Sequence, residues 1–344
     1  ETEEEQKAIT FGATYIGDVF SNFRGGIKTG QGYMGLADLS LDIQFEQAGL
    51  WSGGELFVEF QNTHGATPTA DFVGDIQVFS NIENGDYSYL FQLWYRQTLG
   101  NLTMTIGRHD LNSEFLASDL GGEYLNSSFG IMGLAPINMP VSIFPKTGLG
   151  FIAGYDINDR VTIKSAIYDG DPLDLDRDRY SLDFRVGRDE SFLSITELEY
   201  RNDSEKLPGM YKAGFFHHNG DFLNMEDTTT NVKGNSAAYV IADQQLFREN
   251  STDYQGLGAM FQVGWTPQNR SINDIYLALG LNYYGLVPGR DEDVLGLAMA
   301  HASISNAFRG LQPGTLGHET AIELTYKYGL SDIITIQPDF QYII

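Results

Sequence analysis

The clearest pattern in the chain runs from His318 to Tyr342. Thr320, Ile322, Leu324, Tyr326 and Tyr328 alternate with Glu319, Ala321, Glu323, Thr325 and Lys327. After the turn Gly329-Leu330-Ser331, Ile334, Ile336, Phe340 and Tyr342 alternate with Thr335, Gln337, Asp339 and Gln341. A period of two puts the apolar side chains on one face of an extended chain and the polar ones on the other. Each run is about ten residues, the length of a tilted strand that crosses a bilayer. Aromatics near the ends of the apolar face, and charges of both signs on the polar face, describe a hairpin with lipid outside and water inside.

The same alternation predicts further strands at Ala8–Phe20, Leu36–Gln47, Glu55–Asn62, Tyr87–Thr98, Leu102–His109, Gly148–Tyr155, Val161–Tyr168 and Phe192–Arg201. Others fall at Met210–His217, Ala237–Phe247, Gly256–Thr266, Ile275–Tyr284, Val294–Ser303, Glu319–Tyr328 and Asp332–Ile343. Short connections such as Leu99–Asn101 and Gly329–Ser331 alternate with longer ones such as Thr63–Asp86, Asp110–Thr147 and Asp169–Ser191. That predicts a transmembrane, antiparallel, up-and-down β-barrel of about 16 strands. Its turns are periplasmic and its long extracellular loops fold into the lumen. Prolines break sheet ladders, and all but Pro338 fall in the predicted connections, so a bulge or weak pairing is expected at Pro338. The strands number about fifteen, an odd count for a closed bacterial barrel. Either the closing strand is missing from this chain, which is favoured, or Arg179–Gly187 is a further membrane strand.

Composition fits this reading. The chain has 19 Tyr, 22 Phe and 39 Gly in 344 residues, rich in strand and turn formers. Mean hydropathy is −0.22, and no apolar run reaches the length of a membrane helix. The 21 Lys+Arg against 46 Asp+Glu give a net charge of −25, which speaks against nucleic acid as a partner. With no cysteine, neither a disulfide nor a thiolate metal site can form. Residues 1–7 read as an acidic tail left after a signal peptide has been removed, and 8–344 as one barrel domain in the outer membrane. Outer-membrane lipid and lipopolysaccharide are its expected surroundings. A homotrimer and an envelope protein complex both stay open.

A charge on the lipid face is costly, so charges mark the lumen. Leu39, Leu41 and Ile43 then face lipid, with Asp42, Gln44 and Glu46 inward. Glu55 and Glu59 face inward. On the next strand Tyr89, Phe91, Leu93 and Tyr95 face lipid, with Gln92, Trp94 and Arg96 inward. Lys164, Lys212, Glu323, Lys327 and Asp339 complete a channel lining. An indole beside a guanidinium in a polar lumen suits either a sugar, stacked on its C–H face, or packing beneath a loop. Asp169, Asp171, Asp174, Asp176 and Asp178 have the spacing of an oxygen-rich calcium loop but lack its glycine and terminal glutamate, so a solvated acidic loop is preferred. His109-Asp110 near Ser113 is a weak hydrolytic constellation with no further support, and no cofactor is expected.

Several stretches taken together resemble the carbohydrate-selective outer-membrane porins of Gram-negative bacteria. They are Gly17–Gly26 (GDVFSNFRGG), Trp51–Phe60 (WSGGELFVEF), Val73–Asn81 (VGDIQVFSN), Gly107–Phe115 (GRHDLNSEF) and Leu125–Gly130 (LNSSFG). Leu207–Tyr211 (LPGMY), Ala242–Leu246 (ADQQL), Gly264–Gln268 (GWTPQ) and Gln337–Ile343 (QPDFQYI) continue the match. The resemblance implies a barrel of about sixteen strands and passive uptake of small neutral sugars. It also implies a constriction built from inward Arg and Glu residues and the loop Asp110–Thr147. Trp94, Arg96, Arg108, Glu46, Glu59 and Asp42 are its candidate residues. The alternatives are a general or cation-preferring pore, motivated by the net charge, and a non-transporting scaffold barrel.

Overall fold

The computed structural model describes residues 7–172, 174–185, 191–204, 206–250 and 254–344. One antiparallel sheet runs in chain order through β1 (Ile9–Asn22), β2 (Gly30–Gln44), β3 (Gly54–Gly65), β4 (Tyr87–Leu99) and β5 (Leu102–His109). It continues through β6 (Gly148–Asn158), β7 (Val161–Asp169), β8 (Phe192–Asn202), β9 (Gly209–Leu223) and β10 (Asn231–Arg248). It ends with β11 (Gly256–Trp265), β12 (Asn273–Tyr284), β13 (Val294–Ile304), β14 (His318–Ser331), β15 (Ile334–Ile336) and β16 (Asp339–Ile343). Every neighbour pair joins consecutive strands, except that β15 and β16 both pair with β14. Among the described residues the sheet has two edges, β1 and the β15–β16 segment.

Each predicted strand is present. Pro338 divides the last one, as a residue without an N–H should. Ile336 pairs with Tyr328 and Asp339 with Thr325, while Pro338 keeps only its carbonyl bond, to the N–H of Tyr326 at 3.0 Å. The turn before it lies later than expected, because β14 continues through Ser331, which pairs with Ile334. β9 and β10 extend past the membrane pattern into the expected loop His218–Ser236. Residues 179–185 form no strand, and the last two positions of that candidate, 186 and 187, lie outside the described residues.

Local chemistry explains the tight ends. Leu99 pairs with Leu102 around a two-residue turn, and Gly100 takes φ 60°, the left-handed value such a turn demands. Outward positions are apolar and exposed, with Leu39 at 59%, Phe60 at 52% and Ile106 at 59%. The core is inside the barrel. It joins the loop Asp110–Thr147 to inward side chains of β6–β13. The loop carries α1 (Ser127–Gly130) and α2 (Leu134–Asn138).

Two outward assignments fail, Tyr89 and Phe91. Glu59 pairs with Gln92 but Phe60 pairs with Leu90, so Phe91 is an extra residue in β4. A bulge of one residue reverses the parity of one side of the strand relative to the other, here of the residues before Phe91. Tyr89 therefore faces inward, donating to Gln61 Oε1 at 3.0 Å, and is buried. Phe91 packs against Phe144, also away from lipid.

Candidate functional site in the barrel lumen

The inner wall divides into two arcs. From β6 to β14 it is mainly apolar and small: Ile152, Ala166, Ile195, Phe216, Ala237, Ile241, Ala278, Ala298, Ala300 and Ala302 are buried. Leu111, Phe115, Phe129, Met132 and Leu134 of the infolded loop pack on them. Small wall residues are needed for that approach. A Cβ at Gly264 would sit 2.6 Å from Met132 Sδ and 2.7 Å from Leu134 Cδ2.

Polar wall residues of this arc bond the loop, mostly through its backbone. Leu116 N–H donates to Glu197 Oε2 (3.2 Å), Asp119 N–H to Asp243 Oδ2 (2.8 Å), and Leu125 and Asn126 N–H to the two oxygens of Glu323 (2.7 and 2.9 Å). The loop carbonyls accept from Lys212 Nζ at Ala117 (2.9 Å), Asn282 Nδ2 at Leu120 (2.8 Å), Tyr276 Oη at Ser128 (2.6 Å) and Gln262 Nε2 at Phe129 (2.7 Å). A buried loop must satisfy its backbone, and these side chains do so. A second loop, 66–86, also turns inward. Ser80 Oγ donates to Asp18 Oδ2 (2.7 Å), and Glu319 accepts from Ile76 N–H (2.9 Å) and Gln77 N–H (3.1 Å). Asp75 in this loop is buried, among the described residues neither of its oxygens has a hydrogen bond of ordinary geometry, and burial beside Glu319 raises its carboxyl to about 7.

The other arc, β2–β5, is charged and less covered. Asp38, Asp42, Glu55 and Glu59 are half-buried on β2 and β3. Gln61 Nε2 bridges Asp38 (3.1 Å) and Glu59 (3.0 Å), and Gln92 Nε2 donates to Glu59 (2.6 Å). Arg96 lies over the Trp94 ring at 4.6 Å, and Trp94 stacks on Phe57 at 5.0 Å. The guanidinium reaches Glu114 of the loop at 2.6 Å and Glu55 at 3.7 Å. From Glu114 a ladder of alternating charge continues to Lys164 (3.2 Å), Glu199 (3.1 Å from Lys164) and Lys212 (3.9 Å from Glu199). Such a string fixes long side chains in one geometry more cheaply than separate pairs do, because each ordered group serves two partners.

Of the sequence candidates, Trp94, Arg96, Glu59 and Asp42 share this arc. Two do not. Glu46 lies beyond the end of β2 in an exposed turn, where it accepts from Ser52 Oγ at 2.8 Å. Arg108 shares the outward side of β5 with Ile106, beneath the loop after β7. Its Nη1 bonds Thr147 O, its Nη2 bonds Asp183 O at 2.5 Å, and Phe184 covers it. The neighbouring His109 is the inward residue, against Trp94 and Tyr168.

The expected lining also divides. Lys212 and Glu323 are buried under the loop, so neither lines open space. Lys327 pairs with Glu123 of the loop at 2.8 Å, and Lys164 belongs to the ladder. Asp339 accepts from Gln341 Nε2 at 3.2 Å on β16. Glu114 and Phe57, central to the site, are not among the candidates. Glu114 sits on a loop where no periodicity shows direction, whereas Phe57 could have been found by its parity with Glu55 and Glu59.

The acidic segment does not converge. Asp169 accepts from Asp171 N–H, Asp174 from Arg177 N–H, Asp176 from Tyr87 Oη, and Asp178 from Leu182 and Asp183 N–H. Among the described residues no three metal-ligating side chains gather. Ser113 Oγ donates to Asp110 O at 2.7 Å, and His109 Nδ1 faces Tyr168 Oη at 3.1 Å, so the hydrolytic grouping is not assembled.

Comparison with known proteins agrees with this geometry. Residues 28–344 match the model of a family described as carbohydrate-selective porin, OprB family. Porin B of Pseudomonas aeruginosa is 22% identical over 387 residues, spanning 99% of this chain and 84% of that protein. A putative porin QuiX of Acinetobacter baylyi is 22% identical, over 98% of this chain and 85% of the relative. Among solved structures, the high-pH structure of Pseudomonas putida OprB superposes with a TM-score of 0.89 at 18% identity, covering 98% of this chain and 89% of that one.

Proposed function

The chain belongs to the carbohydrate-selective porin family and is an outer-membrane carbohydrate channel, and from that premise we propose that the β2–β5 arc and Glu114 form its solute-reading constriction. The observation that carries this reading is Arg96, held over the Trp94 ring and facing a carboxylate of the infolded loop. A pyranose offers hydroxyls around its rim and C–H groups on its faces. Arg96, Glu55, Glu59 and Asp42 supply donors and acceptors for the rim. Half-buried Phe57 supplies an apolar surface for a face, and Trp94, buried beneath Arg96 and stacked on Phe57, holds both in place. Among the described residues Arg96 pairs with Glu114 and Glu55 but leaves Asp38, Asp42 and Glu59 without a cation, so a neutral solute would be selected by hydrogen bonds and ring contact, while an anion meets an acidic arc.

Binding should be weak, around millimolar or about −4 kcal/mol, because a tightly held sugar would not leave. The preferred solutes are mono- or small oligosaccharides. Arg96→Ala and Trp94→Ala should reduce sugar flux in liposome swelling more than they change salt conductance. Equal loss of both would sink the proposal.

A second reading has its own support. Asp38, Asp42, Glu55 and Glu59 place four carboxylates on adjacent strands, as a cation-preferring general pore would. A reversal potential favouring cations, with no block of current by sugar, would select it.

A further inference from the structure

Glu323 lies on β14, on the covered arc and away from the proposed solute contacts. Its side chain is fully buried, and its two oxygens accept from consecutive backbone N–H groups, Leu125 at 2.7 Å and Asn126 at 2.9 Å. Among the described residues no Lys, Arg or His lies within ion-pair distance of it. A buried carboxyl with no cation beside it, and with the Asp339 carboxyl as its neighbour, is costly unless its hydrogen-bond partners are in place. The carboxylate and this point of the loop therefore hold each other.

This point is also where the two infolded loops join. Asn81 N–H of the second loop donates to Leu125 O (2.8 Å), and Ser127 N–H donates to Val78 O (3.1 Å). Buried Asn126 caps α1 by accepting from Ser128 N–H (3.1 Å), and its Nδ2 reaches Gln341 on β16 (3.2 Å). One wall carboxylate thus fixes a junction on which both loops depend, while the rest of the loop leads from there to Glu114 and back to the wall.

We infer that Glu323 is a positioning residue that sets the bore and solute discrimination of the channel without touching solute. It acts by fixing Leu125 and Asn126. Glu197, Asp243 and Glu319 make comparable bonds elsewhere, but none of them takes two main-chain donors from the segment where the loops meet.

The test is single-channel recording of Glu323→Gln and Glu323→Ala in planar bilayers, with potassium chloride conductance and glucose block both measured. Folded barrels are selected by their resistance to unfolding in SDS before heating. Released loops should raise unit conductance and open-channel noise, and the half-blocking glucose concentration should rise about twofold or more, with Gln smaller than Ala. A purely structural role would lower yield and unfolding temperature but leave the unit conductance of folded channels at the wild-type value. That outcome overturns the inference. If the Ala variant does not fold, the Gln variant decides alone, because it keeps one acceptor and the shape. Salt conductance does not depend on sugar contact at Arg96 or Trp94, so failure of that proposal leaves this result readable.

Discussion

The β2–β5 arc and the β6–β14 arc of the wall obey the same alternation, yet their inward polar residues serve different ends. On β2–β5 they face one another and the lumen: Gln61 bridges Asp38 and Glu59, and Arg96 reaches Glu55 and Glu114. On β8–β14 they are covered, and Glu197, Asp243 and Glu323 accept N–H groups from a loop. Parity tells which way a side chain points. It does not tell what lies in front of it. The difference comes from small, apolar neighbours. Ala278, Ala298 and Ala300 admit a packed loop, whereas the β2–β5 arc meets the same loop through an ion pair, Arg96 with Glu114.

The largest expected effect tests the covered arc. Phe129 is fully buried between loop and wall, and Phe129→Ala should cost about 3–5 kcal/mol of loop docking. Thermal unfolding and protease sensitivity at the loop would measure it. Unchanged protection would mean that the loop is not held by its apolar contacts, and the contrast between the arcs would collapse.

Next comes the second loop. The folded Asp75 carboxyl is raised from 3.8 to about 7. The native state then binds more protons than the unfolded one between those values. Stability of this docking is greatest below about pH 4, falls as pH rises through about 7, and is level above, a change of up to about 4 kcal/mol. Hydrogen-exchange protection at Ile76 and Gln77, corrected for intrinsic rates, should follow this curve. Asp75→Asn should flatten it, and a slope that persists in the variant would assign the effect to another group.

On the charged arc, Arg96→Ala should weaken sugar block about tenfold, or about 1.4 kcal/mol, while unfolding temperature moves little. A large fall in stability with unaltered block would make Arg96 a strut of the same kind as Glu323. The smallest effect is expected at Glu46, exposed beyond β2. Glu46→Gln should change neither sugar block nor stability by more than about 0.5 kcal/mol. A clear effect on block would extend the functional arc into the turn.

Much of this fold is legible because lipid and water impose a strict period on every strand. The inward places of Trp94, Arg96, Asp42 and Glu59 follow from that period alone. Parity misplaces Tyr89 because one extra residue, Phe91, reverses the order above it, and nothing in the local sequence marks the bulge. Arg108 joins the constriction candidates by its charge and its motif. Its parity with Ile106 points outward, and parity prevails. Glu114 gives no signal because a loop has no period, and its meeting with Arg96 depends on how the whole segment packs. Glu323 and Lys212 read as channel lining because their strands show direction but not cover.

The clamps on the covered arc grip main-chain N–H and C=O groups at residues 116, 117, 119, 120, 125, 126, 128 and 129. Those groups exist whatever side chain the position carries, proline's missing N–H apart. The lumen-facing side of the loop is thereby free to be rewritten while its seat on the wall stays the same. A porin built this way can be retuned for another solute by exchanging lumen-facing loop side chains, with a matching change in the barrel needed only where, as at Glu114 and Glu123, they pair with wall cations.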